Sequence, residues 1–279
     1  LGHQKLFQLA QSYKTKHNLN IGVVNFDPMP KMFFNKKLKN FRLSSIDQKI
    51  NLLSNLKVDF VITKKFDKKF SKIKALNFIS QILNKKLTAK FIFVSNNFRF
   101  GNKREGNVNL LKKNEKSFNY KLVKPEPLVK SKKIVSSSLI RNLLEKGLLN
   151  KANSLLKRNW SIEGVVKKGR QVGKKIGFPT CNIDIKDYVL AKPGVYAVRV
   201  LRKNSDKYLK GIANLGYRPT FNQKKILLEV HLFNFSGNLY NKLLSVEFLK
   251  FIRKEKKFNN VNQLRAQIKK DLNIARKTK

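Results

Sequence analysis

Gly173-Lys174-Lys175-Ile176-Gly177-Phe178-Pro179-Thr180-Cys181-Asn182 follows a strand, Ile162 to Val166, and a loop, Lys167 to Gln171. The glycines at 169, 173 and 177 let backbone N–H groups approach an anion closely. Thr180 and Asn182 stand two apart, so on an extended segment both side chains leave the same face. A hydroxyl and an amide oxygen together suit hard Mg²⁺ carried in with phosphate. Spacing alone does not separate this from a glycine-rich barrel turn with two exposed polar residues.

Around this stretch the rhythm is strand after strand: 160–167, 194–201, 208–214, 226–233 and 243–252. Turns carry Gly, Pro and Asn, as in Lys192-Pro193-Gly194 and Ser236-Gly237-Asn238. That pattern predicts a small antiparallel barrel or sandwich. A terminal helix closes it, with Val261, Leu264, Ile268, Leu272 and Ile274 as apolar positions. Before the joint at 148–157 the chain reads as α/β. Ile21 to Phe26 is a strand ending in Asp27-Pro28-Met29-Pro30. Ser45-Ile46-Asp47-Gln48 is a capping box, opening a helix with Ile46, Ile50, Leu53 and Leu56 on one stripe. Phe60 to Thr63 is a second strand. A helix near 70–86 follows, with Ile73, Leu76, Ile79 and Leu83 at helical spacing, and Phe91 to Val94 is a third strand. Short apolar strands between amphipathic helices predict a parallel sheet with ligands beyond the strands' carboxyl ends.

The chain has 279 residues, two domains' worth at roughly 100 to 200 residues each. Hydrophobic residues at 41% exclude a wholly disordered chain. The single cysteine, Cys181, excludes an internal disulfide framework and a multi-thiolate zinc site. His3, His17 and His231 leave little room for a His-rich metal site. No apolar run approaches the roughly 18 to 20 residues of a membrane span, and no signal peptide opens the chain, so the expected location is cytoplasmic. The net charge of +46 admits nucleic-acid binding, since clustered cations displace counterions from phosphates. Against that, Lys outnumbers Arg about four to one and the cations run along almost the whole chain, which reads as compositional bias. The field would still draw in anionic ligands such as nucleotides.

The 173–182 string resembles the ATP-binding signature of riboflavin kinases, a GFPT-x-N segment. Three further segments fit that family in order: Gly211 to Phe221 (GIANLGYRPTF), Leu228 to Phe233 (LEVHLF) and Phe248 to Phe258 (FLKFIRKEKKF). The resemblance covers 158–279. It implies that Thr180 and Asn182 hold Mg²⁺-ATP, that the loop from Gly169 through Gly173 to Gly177 cradles phosphate, and that Glu229 is the catalytic base. Glu229 is the only acidic residue of its strand and alternates with Leu228 and Val230, so it faces away from them together with His231. Asn214 and Arg253 are the expected flavin contacts, and His231 reads as a supporting or surface residue and not a catalyst. The family often has Asp where this chain has Asn234 and Asn238.

In bacteria this kinase is commonly fused behind an FMN adenylyltransferase domain of the nucleotidyltransferase superfamily. Leu1-Gly2-His3-Gln4 resembles the tail of that domain's H-x-G-H motif, with His3 as its second histidine. The chain therefore reads as lacking its extreme N-terminus. Val135 to Arg141 (VSSSLIR) resembles the superfamily's (I/V)SSTxIR motif with Ser138 in place of Thr. Serines opening a helix, with Arg one turn on, place donors and a cation at a phosphate. Asn97-Phe98-Arg99-Phe100-Gly101 resembles the substrate-loop motif, with Asn97 as a flavin contact. Phe26 to Pro30 resembles FEPHP, with Met29 in place of His.

Together the resemblances imply a prokaryotic bifunctional FAD synthetase. Its fold would be an α/β Rossmann-like nucleotidyltransferase domain over 1–150 and an all-β Greek-key barrel with a terminal helix over 158–279. The expected ligands are ATP, riboflavin, FMN and FAD, with Mg²⁺. His3, Ser136, Ser137 and Arg141 would bind the triphosphate in adenylyl transfer. Neither a specific nucleic-acid partner nor a membrane is expected. Two alternatives stay open: a riboflavin kinase with a non-catalytic first domain, and a basic nucleic-acid-binding protein.

Overall fold

The structure is a computed structural model that describes residues 2–130, 133–169, 171–185, 187–203, 205–219 and 224–278. The chain gathers into two compact units. One comprises 1–39 and 50–135, the other 40–49 and 136–279.

In the first unit, helix α1 (Gly2–His17) precedes strand β1 (Gly22–Asp27), which pairs in parallel with β2 (Phe60–Lys65). Strand β3 (Phe91–Phe93) pairs in parallel with β4 (Lys121–Val123). These are the parallel pairs of an α/β layer. The stretch expected as one helix near 70–86 is broken into a turn at Lys68–Ser71, a turn at Ala75–Asn77 and a π-helical run, Phe78–Lys86. The π-helical winding shifts the buried stripe to Phe78, Ile79 and Leu83, and Leu76 is 52% exposed. These residues build a core with Ile92, Val94, Phe100, Leu111 and Tyr120.

Residues 40–49 belong to the second unit. The capping box forms as expected: Ser45 N–H donates to Gln48 Oε1 at 2.9 Å, and Gln48 N–H to Ser45 Oγ at 3.1 Å. It opens helix α2 (Ile46–Ser54), of which Ile50 is 38% exposed and Leu53 buried. Buried Gln48 also donates to Ser161 Oγ at 3.1 Å and accepts from the Tyr188 hydroxyl at 2.6 Å. Trp160 Nε1 donates to the Leu43 carbonyl at 3.0 Å, and Val189 N–H to that of Arg42 at 2.7 Å. A ten-residue strap is thus hydrogen-bonded along its length to the later chain.

Helices α3 (Ser137–Glu145) and α4 (Leu149–Leu156) lead into the barrel. Its strands are β5 (Ser161–Lys167), β6 (Cys181–Asp184), β7 (Gly194–Arg202), β8 (Leu209–Pro219), β9 (Lys224–Leu232) and β10 (Leu243–Arg253). The closed order is β6-β9-β8-β7-β10-β5, every pairing antiparallel. The run β9-β8-β7 with β10 returning beside β7 is a Greek key. Alternate residues fill the interior, among them Ile162, Ile183, Tyr196, Leu215, Leu228, Leu244 and Phe248, each under 2% exposed. On the outer face Val195, Ala197, Ile212 and Phe233 pack with Leu272 and Ala275 of helix α5 (Val261–Lys277). The buried stripe of α5 differs from the expected one: Val261 is 50% and Ile274 40% exposed, while Asp271 is 2% exposed.

Candidate functional site

Register places the kinase-half candidates in one row. Asn182 on β6 stands opposite Glu229 on β9, and Glu229 opposite Asn214 on β8. Asn214 stands opposite Val195 on β7, and Val195 opposite Arg253 on β10. Directly opposed residues share a face of a sheet. Val195 belongs to the outer face, so the row lies outside the barrel, while Leu228 and Val230 flank Glu229 inside it.

The loop between β5 and β6 covers one end of this row. A one-turn helix, Val172–Lys175, is entered through Gln171 at φ 55°. Phe178 N–H closes the turn onto the Gly173 carbonyl at 2.8 Å. Gly177 has φ +87°, a left-handed conformation that suits glycine. Gly169 and Gly173 are small for a different reason. A Cβ on Gly169 would strike the Asn182 amide, 2.6 Å from its Cγ. A Cβ on Gly173 would strike the Phe178 carbonyl and stand 3.3 Å from Thr180 Oγ1. The two glycines therefore lie on the two residues expected to hold the metal of ATP.

Asn182 is 7% exposed, and its Oδ1 has no hydrogen-bond partner among the described residues. A buried unsatisfied carbonyl oxygen costs about 1–3 kcal/mol. A hard cation would remove that cost, and the Thr180 hydroxyl beside the same loop adds a second oxygen donor. These two residues fit a divalent ion delivered with ATP. Among the described residues no cluster of three His, Cys, Asp or Glu side chains could hold a metal by itself.

The other end of the row is tied down by contacts that sequence reasoning missed. Arg253 Nε donates to both Asp271 oxygens, at 3.1 and 2.9 Å, and its Nη2 lies 2.8 Å from Oδ2. Asn214 Nδ2 donates to Glu255 Oε1 at 3.4 Å, and the Glu255 carboxyl lies against Gly216. The signal for Asp271 was present: it is an acid on the buried stripe of an amphipathic helix, four residues after Gln267, which donates to it at 2.9 Å. Glu255 was masked by the cations around it. Of the expected 211–221 segment, Thr220 and Phe221 lie outside the described residues.

A family model described as riboflavin kinase matches residues 156–279, and one described as FAD synthetase matches residues 1–139. A bifunctional riboflavin kinase/FMN adenylyltransferase from Buchnera aphidicola (of Schizaphis graminum) is 39% identical over 280 residues, covering 99% of this chain and 89% of the relative. The Escherichia coli K12 protein of the same name is 37% identical over 275 residues, covering 99% and 88%. This chain belongs to the bifunctional riboflavin kinase/FMN adenylyltransferase family. A crystal structure of a Streptococcus pneumoniae protein described as a macrolide-efflux protein superposes with a TM-score of 0.85 at 26% identity, covering 100% of this chain and 90% of that one. In this chain no described helix is long and apolar enough to cross a membrane.

In the adenylyltransferase half, the VSSSLIR motif opens helix α3 as expected. Ser136 is its N-cap, accepting from Leu139 N–H at 3.2 Å, and Ser137 is the first helical residue. Arg141 stacks on the Phe41 ring at 3.6 Å, and its Nε donates to the Phe41 carbonyl at 2.8 Å. Burial lowers the Arg141 pKa from its usual value, opposed by the Glu145 charge. Ser136 to Arg141 and Phe41 belong to the second unit, and the motif's first residue, Val135, ends the first. His3 lies on helix α1 and Asn97 in the exposed turn after β3, both in the first unit; the His3 side chain lies outside the described residues. The Phe98 N–H donates to the Ser95 carbonyl at 3.0 Å, closing the turn that carries Asn97.

Proposed function

We propose that the chain phosphorylates riboflavin with ATP to give FMN and transfers AMP from ATP to FMN, giving FAD and pyrophosphate. Phosphorylation is assigned to 158–279 and adenylyl transfer to 1–150. The observation that carries the kinase assignment is the cross-strand row Asn182–Glu229–Asn214, roofed at one end by Gly169.

Thr180 and Asn182 hold the divalent ion, Mg²⁺, which neutralises charge on the phosphates. The backbone from Gly169 to Gly177 binds the phosphate oxygens. Asn214 and Arg253 lie along the same row on the flavin side, with Arg253 oriented by Asp271. Glu229 accepts the proton of the terminal ribityl hydroxyl. The freed oxygen bonds to the γ-phosphorus as its bond to the β,γ-bridging oxygen breaks, and ADP leaves with that electron pair. Glu229 then returns its proton to solvent or product.

In adenylyl transfer an FMN phosphate oxygen attacks the α-phosphorus, and pyrophosphate leaves. His3, Ser136, Ser137 and Arg141 bind the triphosphate and the charge that develops on the leaving group, and Asn97 contacts the flavin. The relevant ligands are ATP, riboflavin, FMN and FAD.

The test is chromatographic separation of flavins after incubating the purified chain with ATP and Mg²⁺, once with riboflavin and once with FMN. FMN from riboflavin and FAD from FMN are the expected products. FMN without FAD would leave a kinase carrying a non-catalytic first domain. Neither product from folded protein would sink the reading.

A further inference from the structure

His231 has no catalytic role in the reading above, yet its side chain reaches from β9 to the segment that leads into β6. It sits two residues after Glu229 on β9, on the same outer face, opposite Ile212 of the outer apolar cluster. Its Nδ1 lies 2.8 Å from the carbonyl oxygen of Pro179. A carbonyl oxygen can only accept, so Nδ1 carries the hydrogen and Nε2 is the ring's other, outward nitrogen. Two aromatic rings meet it edge-on. Phe178 meets it at 5.9 Å and 87°, and Phe233 at 6.1 Å and 62°.

The position of the acceptor matters. Pro179 has no N–H to give and lies just before β6, which begins at Cys181. On its N-terminal side, Phe178 is tied to Gly173 through its N–H. Thr180 stands between this anchored carbonyl and the ladder, one residue from Pro179 and two from Asn182.

We propose that His231 is a positioning residue of the kinase half. Its Nδ1–H, donated to the Pro179 carbonyl, fixes the Phe178–Thr180 segment against the strand that carries Glu229. The distance between the metal-holding oxygens and the base is thereby set by one side chain as well as by the β6–β9 ladder. The inference rests on the kinase reading above, because it assigns no chemistry to His231 itself.

The experiment compares His231→Asn, His231→Gln and His231→Ala in the full chain. FMN formation is measured against ATP concentration, FAD formation from FMN serves as the control, and thermal melting reports the fold. The amide nitrogen of Asn overlays Nδ1, whereas that of Gln reaches to where Nε2 was. Loss of one positioning hydrogen bond of about 1 kcal/mol is a factor of about five, and misplacement of the metal-holding groups adds to it. The expected result is a fall of about tenfold in kcat/KM for ATP in His231→Ala and His231→Gln, carried mainly by KM, with His231→Asn restored to near the parent value. Wild-type parameters in His231→Ala would overturn the proposal. So would equal losses in the Asn and Gln variants, a comparison that stands even where the Ala variant does not fold. A parent protein that makes no FMN would instead refute the kinase reading, and the two failures are distinguishable.

Discussion

Gly169 lies against the Asn182 amide so closely that any Cβ would displace it. The glycine is therefore a steric requirement of a neighbouring side chain. Its φ is not in the left-handed region, so alanine is acceptable to its own backbone. Gly169→Ala should act through Asn182 alone. Shifting a positioned group by on the order of 1 Å costs up to about a hundredfold. The expected outcome is a drop of about tenfold or more in kinase kcat/KM for ATP, with the melting temperature little changed. Isothermal titration with Mg²⁺-ATP would show the same loss. An unchanged affinity would remove Asn182 from the site.

Glu229 faces the outer surface from the centre of the row, between Asn182 and Asn214. Glu229→Gln keeps the shape and removes the proton acceptor. General-base catalysis is worth about 10²–10⁴ in rate. FMN formation should fall by that order while ATP affinity is kept, as read by single-turnover kinetics and nucleotide titration. Full turnover in the variant would assign the base elsewhere.

Arg253 and Asp271 form a two-point pair in which the carboxylate is 2% exposed. Breaking a buried pair costs about 3–5 kcal/mol, because the remaining charge is stranded. The Arg253 side chain is 22% exposed, so solvent screening brings the expected cost of Asp271→Ala to about 2–3 kcal/mol. Replacing both, as Arg253→Met with Asp271→Leu, should recover most of it. Urea unfolding of the single and double variants measures this directly.

Buried tyrosines make a prediction about alkaline pH. Burial pushes Tyr120 up to about 12, and its hydroxyl donates to the Leu111 carbonyl at 2.5 Å. Burial also raises Tyr188, whose hydroxyl donates to Gln48 and accepts from the Glu163 N–H at 3.1 Å. A raised folded-state value means that the neutral phenol is favoured in the fold. Above about pH 10 the unfolded chain releases the proton while the folded chain retains it. Stability contributed by these groups is complete below pH 10 and is lost as pH rises through the folded-state values. Unfolding midpoints between about pH 9 and 12 should fall more steeply for the parent than for a Tyr120→Phe, Tyr188→Phe double variant. Parallel curves would refute the assignment.

The barrel strands were legible in the sequence because turns rich in Gly, Pro and Asn separate them. The five long barrel strands lie where the rhythm of strands and turns put them, except that the one expected at 208–214 runs on to Pro219. The short strand Cys181–Asp184 carried too few residues to show a period, although Thr180 and Asn182 had marked the segment as extended. The helix near 70–86 was misread because 3.6-residue spacing was assumed, where the chain makes two turns and a π-helical run. Asn182, Glu229 and Asn214 were each found from a motif or an isolated charge, but their alignment depends on register, which no single strand contains. The partners of Arg141 and Arg253 stayed hidden for a related reason. Phe41 is 100 residues from Arg141, and Asp271 is held on another element 18 residues from Arg253.

The strap at 40–49 sets an order of events during synthesis. Gln48 waits for Tyr188 across 140 residues, and Leu43 for Trp160 across 117. At about 5–20 residues per second, those acceptors stand uncompleted for on the order of ten seconds after leaving the ribosome. The barrel strands pair among themselves as they emerge, and the finished unit then takes in a piece of chain made long before. A gene fragment beginning after residue 49 would therefore keep all six barrel strands but leave Trp160, Ser161 and Tyr188 without the segment they bond to.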